Sequence, residues 1–320
     1  MRILVTGATG FVGRQLVADL VNSGAKVRAV LRRPDAMAAT AEIETVLIPT
    51  IGRNTEWSGA MEGVDAVVHL AAQVHDTSRA GSAALTLHEE VNAYGTGRLA
   101  SEAARAGVRR FVFVSSIKAM GEATTQRPYV ATDHPAPEDA YGRSKLEGER
   151  LLLRIAASSS LEPVIVRPPL VYGPGVKANF LEMLRWVERG WPLPLGAVRS
   201  RRSMINVWNL SDLLLKCIDH PGAAGQILLA SDGEDLTIPE LLRAIARSMG
   251  RNLRLVNVPP AVLEIGATAV GLGPQMRRLV RSLQLDPTST FSRLDWRPTV
   301  GCQEGLRRTV DYYQAQRPAA

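Results

Sequence analysis

Two cysteines in 320 residues are too few for a disulfide framework, and Cys217 and Cys302 are too far apart for a zinc or redox dithiol motif. A reducing, cytoplasmic setting is expected. Aromatic residues are scarce at 5 % and are not interleaved with the basic ones, so the stacking platform of a single-strand nucleic-acid binder is missing. No nucleic-acid partner is expected. No run of about 18 apolar residues is present, which excludes an integral membrane helix. The nearest approach, residues 256–273, is interrupted by Pro259, Pro260, Glu264 and several glycines, and reads as a hinge or packed helix rather than a membrane contact. His69, at the end of an apolar run, reads as structural. His75, His88, His134 and His220 show no ligand spacing, so no metal is expected. Repeats and low-complexity tracts are absent, and glycines interrupt the apolar N-terminus too early for a signal-peptide core.

What is present is ordinary globular material, 46 % hydrophobic and 22 % charged, with a net charge of +7. The basic residues are scattered, with short clusters at Arg32-Arg33, 199–202 and Arg277-Arg278, and an anionic small molecule is the economical partner. The length favours two lobes over one core. Short β-branched runs at 3–5, 26–31, 66–70, 111–114 and 164–167 alternate with helical patterns, the order that makes parallel strands joined by right-handed crossovers. The expected fold is α/β, a doubly wound parallel sheet over 1–173 with a possible return near 203–231. Beyond it, 174–320 reads as mainly a smaller α+β substrate lobe, punctuated by Pro174, Pro192 and Pro194. Trp296, Tyr312 and Tyr313 read as core of that lobe.

Gly7, Gly10 and Gly13 stand between the first strand and an amphipathic helix. A tight turn, close approach to a pyrophosphate and close helix packing there each require a residue without Cβ, and the helix N-terminus aims its free N–H groups at phosphate. The second strand runs into Arg32 and Arg33, with Asp35 the only nearby acid. A guanidinium there suits a ribose 2′-phosphate. The cofactor is read as NAD or NADP, with NADP favoured.

Tyr141 and Lys145, four residues apart in a helical pattern, project about 40° apart on one helix face. A tyrosine of ordinary pKa about 10 is a poor base near neutrality, and a neighbouring ammonium moves its phenolate toward the working range. Ser115-Ser116 ends the strand pattern FVFVSS, where ligands bind in open α/β sheets. Ser116 is thus placed to hold a substrate oxygen while Tyr141 moves its proton.

These residues, with His69-Leu70-Ala71-Ala72, Val91-Asn92, Gly95-Thr96, Arg167-Pro168 and the run Val171-Tyr172-Gly173-Pro174-Gly175, resemble the NAD-dependent epimerase/dehydratase family of extended short-chain dehydrogenases/reductases over nearly the whole chain. The resemblance implies catalytic Ser116, Tyr141 and Lys145. It also implies a dinucleotide held by Gly7, Thr9, Gly10, Phe11, Val12, Gly13, Leu70, Ala71, Ala72, Tyr141, Lys145 and Pro168. Asn92 matches an asparagine on the cofactor side that packing also explains. Asn179 and Arg202 match positions that contact a nucleoside diphosphate. Dehydratases of the family follow the catalytic hydroxyl with an Asp-Glu pair, whereas Ile117 and Lys118 stand here, so a 4,6-dehydratase is not expected. The implied activity is hydride transfer at C4 of a UDP-sugar, by a 4-epimerase or a 4-keto-sugar reductase of surface-polysaccharide synthesis, as a homodimer. A dinucleotide-sensing binding protein is the alternative from another class, and a lipid-linked sugar the alternative substrate.

Overall fold

The computed structural model describes residues 1–74 and 87–316; His75 and the side chain of Asp35 lie outside them. The chain opens with β1 (Arg2–Thr6), α1 (Phe11–Asn22), β2 (Lys26–Leu31), β3 (Ile43–Leu47) and β4 (Ala66–His69). A π-helical turn, Glu89–Tyr94, runs straight into α2 (Gly95–Arg105), followed by β5 (Arg110–Val114), α3 (Ala140–Ala157) and β6 (Glu162–Arg167). Next come β7 (Leu170–Tyr172), α4 (Ala178–Arg189), β8 (Arg201–Arg202), β9 (Met204–Asn206), α5 (Val207–Asp219), β10 (Ile227–Leu229) and β11 (Leu236–Thr237). The remaining helices are α6 (Ile238–Met249), α7 (Pro260–Ala269), α8 (Gly273–Val280), α9 (Thr288–Leu294) and α10 (Cys302–Ala315).

Seven strands form one sheet in the order β10-β6-β5-β4-β1-β2-β3, and every neighbouring pair is parallel. The winding reverses between β1 and β4, which opens a crevice at their carboxyl ends, the switch point at which such sheets take ligands. Because successive side chains of a strand point to opposite faces, a strand covered on both sides is apolar throughout. In β1, Ile3 and Val5 join the layer made by Leu16, Val17 and Leu20 of α1 with Leu210, Leu213 and Leu214 of α5. Leu4 faces the other way, into Leu99, Ala100 and Ala103 of α2, Phe111 and Phe113 of β5 and Leu152 of α3.

The second core gathers Phe180, Met183, Leu184 and Val187 of α4, Leu241, Leu242 and Ile245 of α6, and Leu306 and Val310 of α10. The ends of α6 are well specified: Thr237 and Glu240 form a reciprocal capping box, and Gly250 closes the helix in the left-handed conformation. The two cores are joined at Asp232, which accepts hydrogen bonds from Tyr172 Oη at 3.0 Å and Asn209 Nδ2 at 2.7 Å. Burial pushes this carboxyl up to about 6, against those hydrogen bonds.

One expectation is corrected. Trp296 does not belong to the lobe: it is buried in the main-sheet core beside Leu210 and Leu294, and its Nε1 donates to Asp212 of α5 at 2.6 Å. Tyr312 is exposed, and only Tyr313 packs against the lobe core. The local pattern that marks a residue as apolar does not say which of two cores it enters.

Candidate active site

The first turn between β1 and α1 leaves no room for side chains. Gly7 adopts φ +69°, and a Cβ on it would stand 2.9 Å from the Ala71 nitrogen; a Cβ on Gly13 would stand 2.1 Å from the Gly7 carbonyl oxygen. Substitution at either would drive β1, α1 and the loop after β4 apart. Gly10 caps α1 without a side-chain hydrogen bond, so the helix presents its first N–H groups and dipole to the crevice. Beneath it, Thr6 Oγ1 accepts from Ala71 N at 3.2 Å and bonds His69 Nδ1 at 2.6 Å; His69 Nε2 bonds Thr96 Oγ1 at 3.0 Å, and that hydroxyl donates to the Asn92 carbonyl at 2.7 Å. The chain assigns the ring proton to Nε2. Burial, aided by the nearby Lys145, pushes His69 down to about 3, and it stays neutral. It supports the loop, as expected for a structural histidine.

β5 ends on two serines that the pleat turns opposite ways. The Ser115 hydroxyl bonds the buried Glu149 carboxylate. The Ser116 hydroxyl accepts from Lys118 N at 3.2 Å and favours the ionised form of the Tyr141 phenol. Tyr141 lies in the first turn of α3, which Asp139 caps by accepting from Gly142 N at 2.7 Å. Burial, with the Asp139 carboxylate, pushes Tyr141 up to about 12, opposed by the Ser116 hydroxyl. One turn on, Lys145 is fully buried with Nζ 4.1 Å from the centre of the Phe113 ring. Dehydration lowers it to about 7, although Glu149 pulls the other way. Its Nζ has no hydrogen-bond partner among the described residues.

One residue here, Glu149, was not anticipated, and the contacts of Asn92 and Lys118 extend what the sequence showed. Glu149, a further turn along α3, receives Arg167 Nε at 2.9 Å and forms a buried ion pair with it; its place at i+8 from Tyr141 was the available signal. Asn92 is fully buried: Oδ1 accepts from Gln73 N at 2.8 Å while Nδ2 donates to Gln73 O and Ser144 Oγ, each at 2.9 Å, clipping the loop after β4 to α3. Where an Asp-Glu pair would serve elimination, Ile117 is buried and Lys118 Nζ is paired with Asp139 and, at 2.9 Å, with Glu122. Arg278 of α8 reaches the same two acids, 3.3 Å from Glu122 and 3.8 Å from Asp139.

Among the remaining anticipated residues, Pro168 accepts from Ile117 N at 2.9 Å, which ties the strand after β6 to the Ser116 turn. Arg202 is half-buried, and burial together with Arg278 lowers it to about 10. Asn179 is exposed in the first turn of α4, and Arg32 and Arg33 are exposed just beyond β2. The structure therefore brings together Ser116, Tyr141, Lys145 and the glycine loop, and leaves the two arginines at the outer end of the crevice.

The crowded glycine loop, the uncapped helix N-terminus and the orphaned Lys145 Nζ fit a dinucleotide, whose pyrophosphate and ribose hydroxyls answer those groups. Fold and site define a dinucleotide-dependent enzyme of the doubly wound type. Residues 3–230 match the NAD dependent epimerase/dehydratase family, and the chain belongs to it. The chain is 38 % identical over 318 residues to UDP-glucose 4-epimerase of Vibrio cholerae, covering 97 % of this chain and 95 % of that protein. It is 29 % identical to ceramide reductase of Caulobacter vibrioides, over 98 % and 94 % of the two chains. The solved structure of MoeE5 in complex with UDP-glucose and NAD matches with a TM-score of 0.79 at 25 % identity, over 98 % of this chain and 99 % of that one.

Proposed function

We propose that the enzyme transfers hydride at C4 of a UDP-linked hexose or hexosamine, as a UDP-sugar 4-epimerase or a 4-keto-sugar reductase. The observation that carries this reading is the buried Lys145 Nζ, without a hydrogen-bond partner among the described residues and one helical turn from Tyr141, with the Ser116 hydroxyl acting on that phenol at the carboxyl edge of the sheet. Its substrate class is supported by the 38 % identity to a UDP-glucose 4-epimerase. Gly7, Thr9, Gly10, Phe11, Val12 and Gly13 would hold the dinucleotide pyrophosphate; Leu70, Ala71, Ala72 and Pro168 would line its path, and Lys145 its nicotinamide ribose. When bound, the nicotinamide ring accepts or returns the hydride. Ser116 holds the C4 oxygen, and Tyr141 takes its proton as the carbinol is oxidised and returns it on reduction. Charged Lys145 stabilises the phenolate in between. Arg202 and Asn179 hold the substrate diphosphate, a role suited to the guanidinium of Arg202.

The exposed Arg32 and Arg33 favour NADP(H), and with it the reductase arm, since an exchangeable reduced nucleotide suits net reduction. The same chemistry on a lipid-linked sugar is a second reading; the relative named ceramide reductase supports a lipid portion in the substrate and not the sugar. We also place the protein in the cytoplasm, where its two buried thiols persist, and expect a homodimer through the face that includes α3, where Leu153 and Tyr94 are part-exposed.

Purified protein given UDP-galactose or UDP-N-acetylgalactosamine without added nucleotide forms the C4 epimer if it is an epimerase. A reductase instead oxidises NADPH, in preference to NADH, with a 4-keto sugar, and Arg32→Ala/Arg33→Ala erases that preference. Tyr141→Phe lowers either turnover at least ~100-fold while nucleotide affinity stays nearly unchanged. Retained turnover in Tyr141→Phe, or neither reaction in the parent, refutes the assignment.

A further inference from the structure

We propose that α7 and the loop carrying Trp191 dock the enzyme onto the surface of an anionic lipid bilayer. In α7, Leu263 and Ala267 turn inward, whereas Val262 is 56 % and Ile265 72 % exposed; just beyond the helix, Val270 is 70 % and Leu272 53 % exposed. Trp191 is 67 % exposed. Leu193 N donates to Arg254 O at 2.9 Å and Val256 N to Leu193 O at 2.8 Å, so the Trp191 loop is stitched to the segment that leads into α7. Single exposed apolar side chains are ordinary on a soluble protein; a helix apolar on both its inner and outer faces, joined by a neighbouring tryptophan, is a contact surface. The expectation of a packed helix at 256–273 is met on one face only.

Charge decides the occupant. Between 249 and 285 the chain carries five arginines, 251, 254, 277, 278 and 281, against the single acid Glu264. Arg251, Arg254, Arg277 and Arg281 are exposed, and Arg189 lies 5.6 Å from the Trp191 ring centre. An apolar surface with tryptophan at its margin and guanidiniums around it matches the acyl boundary and phosphate layer of a bilayer. A second copy of the chain would bring the exposed Arg251, Arg254, Arg277 and Arg281 of the two margins together across a two-fold axis. At ten residues α7 lies on a membrane and does not cross it. The docked face continues into α8, whose Arg278 reaches Glu122 and Asp139 beside the Ser116 turn, so the bilayer flanks the wall of the active site. This inference is independent of which sugar the site takes.

The test floats the purified full-length protein with vesicles of phosphatidylcholine mixed with phosphatidylglycerol, and with vesicles of phosphatidylcholine alone. The protein is expected to float with the anionic vesicles and to be released by salt. Ile265→Glu/Val270→Glu lowers that binding at least ~10-fold and Arg277→Ala/Arg281→Ala about ten-fold, with Tm and turnover unchanged in both. Three results overturn the proposal: no flotation of the parent with anionic vesicles at low salt, flotation indifferent to Ile265→Glu/Val270→Glu, or dissociation of a vesicle-free oligomer by that variant, which would assign the face to a second copy.

Discussion

Lys145, in the role proposed for it, works against the stability of the fold. Its Nζ is buried over the Phe113 ring without a hydrogen-bond partner among the described residues, and dehydration lowers it from 10.5 to about 7 against the pull of Glu149. The unfolded chain keeps a proton on this lysine up to about 10.5, whereas the folded, nucleotide-free chain releases it above about 7. Between those values the unfolded state binds more protons, so this group makes stability rise with pH; below about 7 its destabilising effect is complete. Lys145→Met, similar in length and apolar, is therefore expected to stabilise the nucleotide-free protein by roughly 2 kcal/mol below pH 7 and to abolish turnover. The gain should fade as the pH approaches 10.5. Urea unfolding of parent and variant across that range reads the difference directly. A variant no more stable than its parent below pH 7 contradicts the account.

At the scale of elements, α3 is built as a ladder of successive turns: Tyr141 in the first turn, Lys145 behind it, Glu149 closing the stack on Arg167 of β6. The Glu149–Arg167 pair is wholly buried, with side-chain exposures of 2 % and 2 %, and Ser115 supplies a further hydrogen bond to the carboxylate. Removing one member of such a pair leaves a buried charge uncompensated, while replacing both by apolar groups is often tolerated. Glu149→Gln is expected to cost about 3 kcal/mol of unfolding free energy, and Glu149→Met/Arg167→Met to recover most of it; a double variant as unstable as the single one would show that the pair is more than mutual neutralisation. The glycine loop and the Tyr141–Lys145 spacing were legible in the sequence because each is written within one turn or one helix. Glu149 carried a helical signal that went unused. Its partner Arg167 could not be named, since their meeting depends on how α3 packs against β6. The same holds for the Thr6–His69–Thr96 chain and the Asn92 clip, whose partners are 63, 27 and 19 residues apart. In α7 the apolar composition was visible, but a one-sided packing arrangement leaves no mark in a segment apolar all round.

For the molecule as a whole, the chain leaves the sheet after β6, builds part of the lobe, returns through α5 and β10, leaves again, and comes back once more with α9. The family match stops at residue 230, yet the core around β10 is finished by later residues. Thr290 Oγ1 donates to Leu229 O at 2.9 Å, Leu294 is fully buried, and Trp296 is held to Asp212 at 2.6 Å. The lobe is likewise completed by α10, with Asn206 and Asn209 donating to Val300 O at 3.0 and 2.8 Å from the start of α5. Neither core can close before the last third of the chain is in place, so the two should unfold as one cooperative unit despite their separate apolar clusters. Trp296→Ala is expected to cost about 3–5 kcal/mol, the usual range for emptying a buried aromatic site. It should also lower the melting of the lobe together with that of the sheet, because α5 carries both Asp212 and the Asn206–Asn209 contacts. Calorimetry of the variant should show one transition at a reduced temperature. Two resolved transitions, with the lobe melting where it does in the parent, would mean that the sheet and the lobe are energetically separate and that the repeated return of the chain couples nothing.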